Sequence, residues 1–243
     1  SRDIEAAVAR ALTPKDGVDL NAHKTLVRLA TTRDGMVRLV TTNFDRLFDG
    51  CRPGLQSFLP PKLPNPARAT ELNGIVYLHG KMNALGTGAD GDGFVLSSSE
   101  FGRAYLSDGW ATAFVKDLLV RYSVVFIGYS ADDPPVQYLL EALNRTSGPM
   151  EGVYAFQSGD TNYANLRWSH KGVTPIAYDS ADGHLALWDT LEAWALRADD
   201  PESWTRNVVS MAASDPADLK PHERGQVVHV VSTIEGLRKF SDG

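Results

Sequence analysis

A chain of 243 residues can hold one large domain, or one domain with an appendage. The net charge of −6 argues against a general nucleic-acid-binding surface, which would need clustered Lys and Arg. No apolar run approaches the roughly 18 residues of a membrane-spanning helix, and the single cysteine, Cys51, argues against a disulfide framework. We therefore expect a cytoplasmic protein that binds neither nucleic acid nor membrane directly.

Hydrophobic periodicity places helices and strands alternately along the chain. In chain order, the pattern predicts helices over 3–12 and 21–31, strands over 36–41 and 74–78, a helix over 102–121, a strand over 123–128, a helix over 135–145, strands over 152–156 and 172–178, and a helix over 184–197. Five prolines between residues 52 and 70 predict an extended loop there. Because strands alternate with helices, we predict a Rossmann-like α/β fold, with a parallel sheet and helices on both of its faces.

The alternating pattern weakens after Arg197, and residues 199–201 (Asp-Asp-Pro) look like a boundary. We therefore predict a main domain over residues 1–197, followed by a C-terminal extension, or the start of a following domain, over residues 198–243. Residues 227–231 (Val-Val-His-Val-Val) contain a β-like run without a place in the main sheet. Such a run is expected to pack on a following domain or on a neighbouring subunit.

Polar side chains appear abruptly where three of the predicted strands end. The first strand is followed by T-N-F-D at 42–45, the second by H-G at 79–80, and the third ends in G-Y-S at 128–130. In open α/β sheets, ligands bind outside the carboxyl ends of the strands. Each motif alone is weak, since Asn, Asp and Ser are common in turns. Three motifs in this order at strand ends predict one ligand-binding crevice.

These motifs resemble the signatures of the sirtuin family. The stretch T-T-N-F-D at 41–45 resembles the sirtuin T-Q-N-x-D signature, and H-G at 79–80 resembles the sirtuin H-G signature. The G-Y-S turn at 128–130 corresponds to the turn that holds NAD phosphate and ribose in the family. Its continuation, G-Y-S-A-D-D-P, is closer to the sirtuin-like NAD hydrolases of bacterial anti-phage defence than to the deacylases. The resemblance covers roughly residues 20–195 and implies that the main domain is an NAD-binding catalytic domain.

The chain departs from the sirtuin pattern in two ways. Sirtuins begin with a G-A-G-x-S loop that cradles the pyrophosphate, and no such loop occurs before Asn43, so we expect the first strand and its Gly-rich loop to be missing from the chain. Sirtuin deacylases also carry a four-cysteine zinc module after the H-G motif, which a chain with one cysteine cannot supply. We therefore expect no metal, and we favour another reaction of NAD over deacylation.

The resemblance implies a role for each motif residue. Asn43 would contact the nicotinamide ribose or the attacking water, and His79, whose side chain can accept a proton near neutral pH, would be the general base. Asp45 would orient its loop by accepting backbone hydrogen bonds. The residues expected to bind NAD are Thr42, Asn43, Asp45, Gly128, Ser130 and Asp133. Ordinary structural interpretations stand beside these: His79 as a buried core histidine, Ser130 as a turn serine and Asp133 as a helix cap.

We predict that the protein hydrolyses NAD to nicotinamide and ADP-ribose. Its biological role would be that of the toxic effector in a bacterial anti-phage defence system. The alternatives are an NAD-dependent deacylase or ADP-ribosyltransferase and, from another class, a non-catalytic sensor of NAD or ADP-ribose in a larger assembly. A sensor could keep Ser130 and the phosphate turn without requiring both Asn43 and His79. Since an unregulated hydrolase would deplete the NAD of its own cell, we expect a homo-oligomer, a regulatory protein partner or a fused sensor domain.

Overall fold

The computed structural model describes residues 2–15, 17–129, 134–148 and 150–241. The chain forms two compact units, residues 1–178 and residues 179–243. The helices of the first unit are α1 (Arg2–Leu12), α2 (Asn21–Leu29), α3 (Ser98–Gly102), α4 (Trp110–Arg121), α5 (Pro134–Ser147) and α6 (Thr161–Trp168). Its strands are β1 (Arg38–Thr41), β2 (Ser57–Phe58), β3 (Gly74–Tyr77), β4 (Val124–Phe126), β5 (Val153–Ser158) and β6 (Thr174–Tyr178).

The strands of the first unit form two three-stranded parallel sheets, in the orders β1-β3-β2 and β4-β5-β6. In the first sheet Arg38 lies opposite Gly74 and Thr41 lies opposite Tyr77, so β1 and β3 end at the same level. Parallel strands with helices around them confirm the predicted Rossmann-like α/β fold. The sequence did not predict β2, because this strand is two residues long and lies in the proline-rich loop.

Strand β3 is buried on both of its faces. Val76 and the following Leu78 belong to a hydrophobic cluster that also contains residues of β5, whereas Ile75 and Tyr77 belong to a second cluster with Val27 of α2. This alternation is what the pleat of a strand requires. Helix α4 packs one face on the first cluster through Ala111, Phe114, Val115 and Leu119. Packing on both sides fixes the position of the residues that follow β3.

The helix predicted over 102–121 is interrupted. Helix α3 begins with a capping box, in which Ser97 and Glu100 each accept a hydrogen bond from the backbone amide of the other. A π-helical turn, Arg103–Ser107, follows α3 and is called the π-turn below. Gly109 then adopts a left-handed conformation with φ +65°, which ends this segment before α4 begins.

The second unit contains the helices α7 (Ala181–Asp199), α8 (Pro201–Met211), α9 (Pro221–Val231) and α10 (Ile234–Ser241). Its core contains Trp204 and Val208 from α8 and Val230 from α9. The β-like run predicted at 227–231 is wrong, since these residues form the last part of α9. The four valines of this run favour a strand, because β-branched residues are common in strands. However, Pro221 lies at the first position of α9, where proline favours the start of a helix, and Val230 packs in one core with Trp204. The domain boundary that we predict after residue 197 lies inside α7.

Candidate functional site

The ends of β1 and β3 bring two of the predicted motifs side by side. The Leu78 amide donates to the Thr41 carbonyl oxygen at 2.8 Å, and the Met82 amide donates to the Phe44 carbonyl oxygen at 2.7 Å. The loop after β1 therefore runs beside the H-G loop, at the carboxyl ends of two adjacent parallel strands. This is the level of the sheet at which open α/β proteins bind their ligands.

The T-N-F-D motif forms a turn that its own side chains stabilise. Thr41 Oγ1 accepts a hydrogen bond from the Asn43 amide at 3.1 Å. Asp45 Oδ1 accepts one from the Leu47 amide at 3.0 Å, where a short 3-10 helix begins. Asn43 is exposed, and Thr42 and Asp45 are partly exposed, so a ligand in solution can reach all three.

The His79 side chain is buried, with 3% of its surface exposed. Its Nε2 lies 2.9 Å from Tyr105 Oη, and its ring meets the Phe101 ring edge-on at a centroid distance of 5.0 Å. The His79 carbonyl oxygen accepts a hydrogen bond from the Val95 amide at 2.8 Å. His79 is thus a hydrogen-bonded core histidine that also lies at a strand end, on the loop beside Asn43.

Steric constraints explain why a glycine follows His79 in the H-G motif. Gly80 has φ +100°, and a Cβ at this position would lie 2.6 Å from the Gly93 carbonyl oxygen. Real Cβ atoms do not approach a backbone oxygen so closely, and residues other than glycine rarely adopt this φ. A glycine after His79 is therefore needed for the turn that brings the chain back across the sheet edge.

A charged network, which our sequence analysis missed, joins the two loops. Lys81 is 4% exposed, and its Nζ donates to Asp49 Oδ1 at 2.6 Å and to Ser57 Oγ at 2.9 Å. Arg46 pairs with Asp49 Oδ2 at 2.6 Å and donates to the Met82 carbonyl oxygen at 3.2 Å. The signal that could have revealed the network is a lysine directly after H-G, because a lysine buried near a strand end needs a carboxylate partner.

Tyr77 lies beside this network with its side chain wholly buried. Lys81 Nζ is 4.7 Å from the centroid of its ring. Among the residues that the structure describes, none makes a well-formed hydrogen bond with the Tyr77 hydroxyl. Burial, and then the carboxylates of Asp49 and Asp45, raise the pKa of Tyr77 well above its ordinary value, so the phenol keeps its proton into alkaline solution.

The third motif belongs to the second sheet. Gly128 follows β4, is exposed and has φ +65°. Tyr129 packs against the hydrophobic cluster that contains Tyr105, which places this turn and the His79 environment on one core. Ser130 and Asp133 lie outside the described residues, so their roles in NAD binding stay predictions.

Within the part of the chain that the structure describes, no group of three or more His, Cys, Asp or Glu residues could hold a metal ion. No helix among the described residues is long and apolar enough to cross a membrane. A surface depression of about 400 Å³ is lined by Phe58, Leu63, Glu71 and their neighbours. None of the predicted site residues that the structure describes lines this depression.

Comparison with known proteins gives two findings. The profile of the family described as SIR2-like domain matches residues 37–176, which is more than half of the chain and includes all three motifs. A curated relative, the uncharacterized protein y4cA of Sinorhizobium fredii (strain NBRC 101917 / NGR234), is 30% identical over 231 residues. The matched region covers 89% of this chain and 19% of the relative, so the chain spans about a fifth of the length of the relative.

Proposed function

The chain belongs to the family of SIR2-like domains, and on this premise we propose that it hydrolyses NAD at the bond between nicotinamide and ribose. Membership of the family connects the chain with NAD. One observation carries the proposal: the loop that contains Asn43 runs beside the loop that contains His79, at the carboxyl ends of β1 and β3. An amide side chain and an imidazole on adjacent loops are the groups that this reaction needs.

The reaction makes few chemical demands on the protein. The glycosidic bond of NAD breaks through an oxocarbenium-like transition state, and the pyridinium group leaves as neutral nicotinamide with the bonding electrons. Water adds its oxygen to the anomeric carbon of the ribose, and His79 takes one proton from that water. The Asn43 amide holds the ribose or the water. One NAD and one water thus give nicotinamide, ADP-ribose and one proton.

Two alternatives use the same groups differently. An NAD-dependent deacylase or an ADP-ribosyltransferase needs a second substrate, and the single Cys51 cannot form the four-cysteine zinc module of the sirtuin deacylases. A sensor would bind NAD or ADP-ribose without turnover, and it would not require both Asn43 and His79. The likeness of G-Y-S-A-D-D-P to defence hydrolases supports a toxic effector of a bacterial anti-phage system as the biological setting.

The proposal is tested by incubating the pure protein with NAD and measuring the release of nicotinamide. We expect Asn43→Ala and His79→Ala each to lower turnover by about 10²- to 10⁴-fold, the usual contribution of a positioned proton acceptor or an equivalent polar group. Asn43→Ala should leave stability unchanged, because Asn43 is exposed on a loop. His79→Ala removes a buried, hydrogen-bonded ring and should lower the free energy of unfolding by about 2 kcal/mol without abolishing the fold. Circular dichroism and thermal unfolding of both variants check this expectation.

Matched controls are an asparagine and a histidine away from the site. Asn162 is exposed in α6, and His170 is half-exposed beside Glu141, so Asn162→Ala and His170→Ala should retain the turnover of the wild-type protein. Near-normal turnover by Asn43→Ala or His79→Ala would remove that residue from the mechanism. Binding of NAD by calorimetry without release of nicotinamide, in the presence of every candidate activator, would replace the hydrolase by the sensor.

A further inference from the structure

The side chain of Arg46 joins the loop after β1 to the loop after β3. Arg46 directly follows the T-N-F-D motif, and its Nη2 lies 2.6 Å from Asp49 Oδ2. Its Nη1 donates to the Met82 carbonyl oxygen at 3.2 Å, in the loop that begins with His79. One planar guanidinium group therefore contacts both loops at once.

The loop after β1 binds Met82 through both of its backbone polar groups. The Met82 amide donates to the Phe44 carbonyl oxygen at 2.7 Å, and the Met82 carbonyl oxygen accepts from Arg46. Phe44 is next to Asn43, and Met82 follows shortly after His79 on the same loop. The two hydrogen bonds therefore connect the loops that carry the candidate site residues.

Compensation of the Asp49 charge does not by itself account for Arg46. Asp49 Oδ1 already pairs with Lys81 Nζ at 2.6 Å, and Lys81 is the more buried cation. The side chains of Arg46 and Asp49 are 28% and 30% exposed, and ion pairs exposed to water contribute little to stability. Asp90 adds a longer contact with Arg46, at 3.7 Å. The distinctive contribution of Arg46 is geometric, because its rigid fork determines how far the Met82 carbonyl oxygen lies from the Asp49 carboxylate.

We propose that Arg46 is a positioning residue, whose guanidinium group sets the spacing between the loop of Asn43 and the loop of His79. This role rests on the function proposed above, because the spacing affects turnover only if the two loops form one site. A displacement of about 1 Å in such a site can cost about 10²-fold in rate. Arg46→Lys would retain the charge, but a single ammonium group cannot reproduce the planar fork that contacts both loops.

The connection between the loops can be measured without any turnover, by amide hydrogen exchange in the whole protein. In Arg46→Lys we expect the Met82 amide to exchange about 10-fold faster than in the wild type, because the two loops separate more easily. The Val124 amide, which donates to the Gly152 carbonyl oxygen at 2.8 Å in the other sheet, should exchange at the wild-type rate. The comparison separates a local effect from a general loss of stability, which would accelerate exchange at both amides.

The matched control is Arg52→Lys, which also changes a guanidinium group that donates to a backbone carbonyl oxygen. Arg52 Nη2 donates to the Gly35 carbonyl oxygen at 3.3 Å, a contact that does not involve the loop after β3. Both amides should exchange at their wild-type rates in this variant. The inference is wrong if Arg46→Lys leaves exchange at Met82 unchanged, or if it accelerates exchange at Met82 and Val124 equally. Both results are independent of NAD cleavage, so they remain decisive if the hydrolase proposal fails.

Turnover gives the second readout once the wild-type protein has been seen to release nicotinamide. Arg46→Lys should lower kcat by about 10- to 100-fold with little change in KM, because misplaced groups slow the chemical step more than they weaken binding. Arg52→Lys should leave both constants unchanged. If Arg46→Lys accelerates exchange at Met82 but leaves kcat unchanged, the spacing does not serve the reaction, and the positioning role is wrong. A wild-type protein that binds NAD without releasing nicotinamide rejects the hydrolase proposal instead, and the exchange rates still decide whether Arg46 connects the loops.

Discussion

The phenol of Tyr77 is wholly buried, and the carboxylates of Asp49 and Asp45 act on it. Burial is the larger cause, the carboxylates are the second, and together they raise the pKa of Tyr77 above its ordinary value of 10.0. The folded chain therefore keeps the phenolic proton at a pH at which the unfolded chain has lost it. This contribution to stability is complete below about pH 10 and declines as the pH rises above it.

Tyr77→Phe is expected to change the free energy of unfolding at neutral pH by less than about 1 kcal/mol, because the hydroxyl that it removes is buried without a well-formed hydrogen bond. Between about pH 10 and pH 11 the variant should gain stability relative to the wild type, since it has no phenol to ionise on unfolding. Urea unfolding at a series of pH values measures the difference. Tyr138→Phe, at a residue that is 67% exposed, should follow the wild type throughout. A difference between Tyr77→Phe and wild type that does not vary with pH would contradict the assignment.

The ion pair between Lys81 and Asp49 is asymmetric, with side-chain exposures of 6% and 30%. Removing the carboxylate leaves a buried ammonium, whereas removing the ammonium leaves a carboxylate that Arg46 still holds at 2.6 Å. We therefore expect Asp49→Ala to lower the free energy of unfolding by about 3 kcal/mol and Lys81→Met by about 1 kcal/mol. Chemical denaturation measures both, with the surface pair variant Arg68→Met as the control that should cause no measurable change. If both variants lost the same free energy of unfolding, the different burial of Lys81 and Asp49 would have no effect on stability, and this prediction would be wrong.

At the scale of the elements, the turn after β3 depends on one glycine. Gly80→Ala would place its Cβ 2.6 Å from the Gly93 carbonyl oxygen at φ +100°, and should lower the free energy of unfolding by about 2 to 3 kcal/mol. Gly102→Ala, at the end of α3 with open space around it, should instead raise it by about 0.5 kcal/mol. Thermal unfolding of the two variants compares them directly. Similar melting temperatures would mean that the turn relaxes more easily than its contacts indicate.

The parts of the fold that the sequence predicts are those with a local pattern. Strands β1 and β3 are short apolar runs, and the alternation of strands with helices predicts that they are parallel, so Asn43 and His79 could be expected at one edge of a sheet. The contact of His79 with Tyr105 could not be expected. It spans 26 residues and depends on the π-turn and on left-handed Gly109, neither of which has a periodic signal.

Tertiary packing also explains two further differences between the sequence-based predictions and the structure. Residues 227–231 have the composition of a strand, yet Val230 packs on Trp204 of α8, and this packing outweighs the local preference. The buried Lys81 was missed because its carboxylate partner, Asp49, lies 32 residues away in sequence. Side-chain partners at such separations follow from the fold and not from a motif, so the sequence could predict that the loops of Asn43 and His79 are adjacent but not the charged network that joins them.

For the complete protein, the proposed NAD hydrolysis raises the question of how its turnover is regulated. A hydrolase that consumed NAD without control would deplete its own cell, and the proposed base His79 is only 3% exposed, so the proposal requires the ring to become accessible before it can act. We therefore expect low turnover by the isolated protein, and a rise of about 5- to 150-fold, the usual range of coupling between sites, when it self-associates or binds a regulatory partner. The test combines light scattering for mass with nicotinamide release, for the wild type and for His79→Ala, with and without candidate partners. On the proposed mechanism, the variant should assemble like the wild type and remain inactive, because the change removes the proposed base. A monomer with full constitutive turnover that leaves the NAD level of its host unchanged would contradict this prediction.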